Sequence, residues 1–257
     1  MDSMGLRQGV GDREGAGARD RVLGFVDVLG TMAGWPAAAG FGGEGAFLSA
    51  RRRLPLPEGP VTVEAVRLPA GDAGHATLPG DEFVLVLRGG VRFEQSGTEI
   101  RLEAGEAAVV LRGRPLAWRS ADGAELIVMR CEGGGGAGAE VPVRIDTDAP
   151  LAPSNPPLAE LLLGPTPQCR NHSDYRSRSG EFVCGTWAST PYHRRLMEFR
   201  HYELMRLLEG SVAFVDAAGR EGRFSAGDVV LLEMGGGCSW ESRNDVKKIY
   251  STYRPAA

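Results

Sequence analysis

Apolar and polar positions along this chain fall into short strand-like runs, without helical spacing. Between His201 and Trp240 the runs 204–208, 212–215 and 229–232 are divided by Gly210, an Ala217-Ala218-Gly219 turn, Gly227 and the Gly235-Gly236-Gly237 cluster. Branched and aliphatic residues bounded by glycine predict four strands joined by tight turns. The first half reads the same way. Residues 61–68 predict an entry strand, 71–74 a turn, 83–87 an apolar strand, 91–93 and 100–102 a hairpin turning at Gly97, and 107–111 and 126–130 two further core strands.

The two halves keep a common register. Glu203, Leu208, Gly210, Val212 and Phe214 stand 121 residues after Glu82, Leu87, Gly89, Val91 and Phe93, while Gly227, Asp228, Trp240 and Ser242 stand 122 after Gly105, Glu106, Trp118 and Ser120. One extra residue in a surface turn accounts for the change of offset. The pattern predicts a tandem duplication with a tail and lead-in over 1–45, a first domain over 46–131, a Gly/Pro-rich linker over 132–170 and a second domain over 171–257. Many short strands in two equal sets predict an all-β fold of two tandem jelly-roll barrels, which manage strand edges by rolling the sheet into two layers.

Composition narrows the partners. The 257 residues carry a formal net charge of −4, with arginines scattered through both halves, so nucleic acid is excluded as an expected partner. Cys131, Cys169, Cys184 and Cys238 form no C-x-x-C pair and are expected as reduced thiols. Asp27 interrupts the apolar run in 22–35, which is too short to span a bilayer; the segment is expected as a strand or helix packed on the first barrel, in a cytoplasmic protein with no membrane partner. Arg51, Arg52 and Arg53 read as a solvated run ahead of the first strand. The apolar run 158–163 predicts a helical turn that docks the linker.

Each half has a Glu followed after six residues by Gly (Glu82 and Gly89, Glu203 and Gly210), then Gly105 with Gly113 or Gly227 with Gly235. This resembles the cupin family, whose first motif is His-x-His, three or four residues, Glu, six residues, Gly, and whose second is Gly, five residues, Pro-x-Gly, two residues, His. The second half is most similar to the cupin branch that includes ureidoglycine aminohydrolase. The resemblance implies cupin barrels (double-stranded β-helices), a homodimer, and a small molecule bound inside a barrel.

The resemblance also assigns metal positions. At the four-residue spacing the first copy supplies His75, Thr77, Glu82 and Leu116, and the second Leu196, Glu198, Glu203 and Cys238; at the three-residue spacing Met197 and Phe199 replace the leading pair. With the imidazoles gone, the expected state is metal-free, the alternative being a divalent Zn, Mn, Fe or Ni on Glu198, Glu203 and Cys238.

An enclosed carboxylate has its ionised form disfavoured, which would bring Glu203, beside His201, into range for acid or base work. Met205, Cys238, Trp240 and Tyr202 are the expected ligand contacts around it, with His75 and Glu82 in the first barrel. The expected function is binding of a small polar metabolite in the second barrel. Both a hydrolase, lyase or isomerase using Glu203 and a non-catalytic binding or structural protein remain open at this point.

Overall fold

Branched side chains crowd a helical turn but pack well on a pleated surface, and nearly every apolar run becomes a strand. The structure, a computed structural model, describes residues 22–35, 47–48, 51–132 and 138–256. In chain order the elements are β1 (Phe25–Asp27), α1 (Val28–Ala33), β2 (Arg51–Arg53), β3 (Val61–Thr77), β4 (Asp81–Gln95), β5 (Thr98–Glu103), β6 (Ala107–Val110) and β7 (Pro115–Cys131). The linker holds β8 (Val143–Arg144), β9 (Ala152–Ser154) and a 3-10 turn (Ala159–Leu161). The second half contributes β10 (Cys169–Arg176), β11 (Phe182–Ser189), β12 (Tyr192–Glu198), β13 (Tyr202–Glu209), β14 (Ser211–Val215), β15 (Glu221–Ser225), β16 (Val229–Leu232), β17 (Gly237–Ser242) and β18 (Val246–Tyr253). No helix among the described residues is long and apolar enough to cross a membrane.

The chain forms two tandem jelly-roll barrels. In the first, β3, β4 and β7 are 17, 15 and 17 residues long and run through one continuous sheet of order β2-β3-β7-β4-β6-β8, with β5 on β4. The second is a sandwich of a seven-stranded sheet, β1-β16-β13-β18-β11-β10-β9, and a four-stranded sheet, β12-β17-β14-β15. Pairing registers agree at the offsets read from the sequence: Glu82 opposes Val110 as Glu203 opposes Leu232, and Phe83 opposes Val109 as Leu204 opposes Leu231. The motif glycines Gly89 (φ 70°) and Gly210 (φ 76°) occupy matching left-handed turns, where a Cβ would collide with the Gly123 and Asp245 carbonyls.

Period-two alternation then gives each strand two apolar faces. Inside the first barrel Phe47, Leu78, Phe93, Leu102, Trp118 and Leu126 pack together. Inside the second, Phe199, Met205, Leu207, Phe214 and Trp240 do so. The outer faces of the two large sheets meet in a third core, where Phe83, Leu85, Ile127 and Met129 of the first barrel touch the cluster of Phe182, Cys184, Leu204, Leu231 and Ile249 of the second.

The lead-in corrects an expectation. Its strand β1 does not pack on the first barrel; it extends the large sheet of the second, pairing with β16. Asp27, the residue that breaks the apolar run, caps α1 through a 2.9 Å bond from the Gly30 amide. The exchange is reciprocal, because β8, which precedes the second barrel, pairs with β6 of the first. In the linker, the 3-10 turn presents Leu162 to the second core and bridges it to Arg194, as the apolar run predicts.

The Tyr175 hydroxyl reaches across the barrel seam. The Tyr175 hydroxyl donates to Asp81 Oδ2 at 2.6 Å, while the Arg112 amide donates to Oδ1 at 3.0 Å. Burial and the neighbouring carboxylate push the Tyr175 phenol far above its ordinary value, so it stays a donor. Tyr175→Phe leaves Asp81 Oδ2 buried without this partner and should cost about 1–3 kcal/mol, read as a lowered urea midpoint; an unchanged midpoint would show that the bond contributes nothing.

Candidate functional site

A cavity of about 380 Å³ opens into the second barrel. Trp187 on β11, Tyr192, Arg194 and Met197 on β12, Glu203 on β13, Trp240 on β17 and Lys248 on β18 line it, and Asn155, Pro156 and Pro157 of the linker complete the wall. Alternation explains the polar lining: Glu203 points inward with Met205 and Leu207, whereas Tyr202 and Leu204 point to the seam.

A chain of polar and charged groups lines the cavity. Lys248 Nζ lies 2.8 Å from Glu203 Oε1, His201 Nε2 lies 3.5 Å from Oε2, and Arg254 Nη2 lies 3.4 Å from His201 Nδ1. The ammonium also sits 4.7 Å from the Trp187 ring centroid and 5.2 Å from that of Trp240, where the ring quadrupoles favour a cation. Arg194, only 4% exposed, donates to the Cys238 carbonyl at 2.9 Å. Tyr192 stacks on Trp240 at 5.4 Å and 8°, which fixes the aromatic wall.

This geometry reverses the proton chemistry expected of Glu203. Burial pushes its carboxyl up, but the Lys248 ammonium and His201 outweigh burial and hold it well below the usual carboxylate range. Glu203 is therefore a fixed anion near neutral pH and has no proton to give as an acid. Cys238 is a fully buried core thiol pushed up to about 12 by burial, a filler with no thiolate to offer.

Other expected site residues separate. His201 and Trp240 line the cavity with Glu203; Met205 stands behind them, its sulfur 3.7 Å from Lys248 Nζ. Tyr202 is a correction, since it packs in the seam core and not in the cavity. In the first barrel His75 and Thr77 are exposed, and the inward positions are Ala76 and Leu78, the three-residue spacing. Glu82 is no ligand contact: it is wholly buried and held bidentately by Arg51 at 2.8 and 2.8 Å. Arg51 also reaches Glu64 at 3.1 Å, and Arg130 approaches Glu82 at 3.6 Å. Arg51 is thus not a solvated residue of its basic run, although Arg53 is largely exposed.

The side chains at the cupin metal positions do not form a ligand set. In the second barrel the three-residue spacing faces inward, so those positions hold Met197, Phe199, Glu203 and Cys238; Glu198 is exposed. One thioether, a phenyl ring, a carboxylate already bonded to an ammonium and a protonated thiol do not make a divalent-cation site. Among the described residues no three His, Cys, Asp or Glu side chains gather closely enough to hold a metal. The Glu198, Glu203 and Cys238 triad is therefore corrected, and the cation facing Glu203 is Lys248.

Sequence reasoning passed over Lys248, Arg194, Trp187 and Tyr192. The signal that could have found them is the register itself. Counted back by 121 or 122, Trp187, Arg194, Met197 and Lys248 fall on Val66, Ala73, Ala76 and Leu126 of the first barrel. Polar or bulky residues in the second copy replace small or apolar ones in the first, which is what a lined cavity in one barrel and a filled interior in the other require.

Known proteins fit this class of fold. The chain has a cupin architecture, and its residues 176–250 match the family model described as EutQ-like cupin domain. A structure of a protein of unknown function from Pseudomonas syringae pv. tomato str. DC3000 is 26% identical, covers 85% of this chain and 94% of its own, and has a TM-score of 0.75. Two others share the fold at lower identity. A cupin 2 conserved barrel domain protein from Leptotrichia buccalis is 10% identical over 92% of this chain and 99% of its own, with a TM-score of 0.59. Salicylate 1,2-dioxygenase from Pseudaminobacter salicylatoxidans is 12% identical over 90% and 84%, with a TM-score of 0.57. No curated protein matches the chain. The family match and the shared fold support a member of the cupin superfamily.

Lys248→Met takes from Glu203 the ammonium that lies 2.8 Å from its Oε1 and leaves His201 beside it. The loss should be about 3 kcal/mol at pH 7 in urea unfolding. Because the folded carboxyl sits below its ordinary 4.5, the pair stabilises the protein above that value, and its contribution is lost as pH falls below it. Unfolding between pH 5 and 3 should therefore be steeper in the wild type than in Lys248→Met; equal slopes would show that the pair does not hold Glu203 ionised.

Proposed function

We propose that the second barrel binds a small polar metabolite carrying an anionic group, and that it does so as a binding site and not through acid catalysis by Glu203. The observation that carries this reading is the charge of the lining: Arg194, Lys248 and Arg254 face one carboxylate, Glu203, inside a small cavity. A pocket with surplus positive charge favours a negative guest, and the guanidinium of Arg194 matches a carboxylate fork. The aromatic wall of Trp187, Tyr192 and Trp240 suits a flat or apolar portion of the same guest.

The resemblance of the second half to the ureidoglycine aminohydrolase-type branch also favours a small polar guest, an amide, amino acid or sugar derivative. It does not bring that branch's reaction, because the ligand positions here hold Met197, Phe199 and Cys238. Glu203 then has a structural part in the site: it fixes the Lys248 ammonium at 2.8 Å so that Arg194 and Lys248 present their donors without rearrangement.

Matched pairs of acids and amides test the reading by thermal shift and calorimetry, for instance phenylacetate against phenylacetamide and glutarate against glutaramide. At least one acid should raise the melting temperature in a saturable way while its amide does not, and Arg194→Met should weaken that acid at least tenfold. Amides that bind as well as their acids, or a panel in which nothing binds, would overturn it.

A further inference from the structure

A second charged crevice lies outside the barrel interiors, where the two barrels meet beside α1. It encloses about 440 Å³. Its central group is Arg206 on β13. Tyr202, Leu204 and Leu208 of the same strand pack into the seam core, and alternation puts Arg206 on that face. The position 121 residues earlier, Leu85, is an apolar member of this core. A cation thus occupies a place where the first barrel has a leucine.

Arg206 has no hydrogen bond and no ion pair with any described residue, and its Nε is wholly buried without a partner. Its guanidinium lies against Gly105 of the first barrel, where any side chain would collide with it. The surrounding charge does not neutralise it. Glu125, the acid of this crevice, already accepts from Arg67 at 2.7 Å and faces Arg88 at 3.9 Å. Partial burial without a compensating acid disfavours the charged guanidinium, and a buried donor such as its Nε is costly to leave without a partner. The opposite wall is apolar: Leu29, Met32 and Trp35 of the lead-in and Leu87 of β4.

We propose that this seam crevice is a second binding site, for an organic monoanion with an extended apolar body, its acid group on Arg206 and its body along Leu29 and Met32. An anion there supplies the partner that Arg206 lacks, and the apolar wall accounts for the rest of the guest. The site joins the lead-in to both barrels, so occupancy would tie three parts of the chain together. It is independent of the barrel cavity.

Octanoate is the probe, with octylamine as the cationic control, in calorimetry on the full chain. The wild type should show saturable octanoate binding that Arg206→Leu weakens at least tenfold and that Arg194→Met leaves unchanged. Arg206→Leu repeats the residue found at the matching position, Leu85, and should melt no lower than the wild type without ligand. Met32→Glu, on a different element, should weaken octanoate to a similar degree by placing a competing carboxylate in the crevice. The proposal is overturned if octanoate does not bind, if octylamine binds equally, if both crevice variants bind like the wild type, or if Arg194→Met alone removes binding, which assigns the guest to the barrel cavity.

Discussion

The constraint on which this molecule rests is that each large sheet has two apolar faces and each barrel can cover only one. The inner face closes over its own barrel core; the outer face of each sheet has no cover except the other barrel. Burying a Phe, Leu, Ile or Met side chain in such a seam is worth about 1.5–3 kcal/mol, and Phe83, Ile127, Met129, Phe182, Leu204 and Ile249 all contribute. Six such side chains together outweigh the Tyr175 to Asp81 bond. The reciprocal strands act in the same sense, because β1 and β8 each extend the sheet of the barrel that does not follow them directly.

With the outer faces committed to the seam, chemistry is left to the interiors, and the two interiors solve the same problem differently. Each has an inward glutamate at the start of an equivalent strand. In the first barrel Arg51 enters with Phe47, which its guanidinium covers at 4.4 Å, and neutralises Glu82 within a network that includes Glu64 and Arg130. Phe93, Leu102, Trp118 and Leu126 fill the remaining volume. In the second barrel the neutralising cation is Lys248, which comes from within the wall and lies among aromatic rings. The volume beside it stays open. A single inward cation in place of a leucine, together with Arg194 in place of an alanine, turns a packed core into a charged cavity.

The same exchange of leucine for a cation recurs at the seam, where Arg206 stands opposite in register to Leu85. Buried or half-buried cations are costly unless something answers them. Glu203 answers Lys248 directly. Arg206 has no such answer among the described residues, which distinguishes it from the ionic pairs that serve structure alone.

The strands, their turns and the two-barrel architecture were legible in the sequence, because side-chain alternation and glycine spacing are local properties that the pleat obeys directly. So was the inward placement of Glu203 and Trp240, which follows from motif position. Three things were decided only by tertiary structure. The bulge between Arg194 and Met197 lets both side chains, three residues apart, line the cavity. The sign of the Glu203 shift depends on Lys248, 45 residues away in sequence but 2.8 Å away in space. The lead-in strand crosses to the barrel farther along the chain, since its partner edge is offered by β16. A sequence specifies which faces are apolar and where the chain can turn; which charges meet depends on strands that pair across long separations, and electrostatic energies are set by those distances.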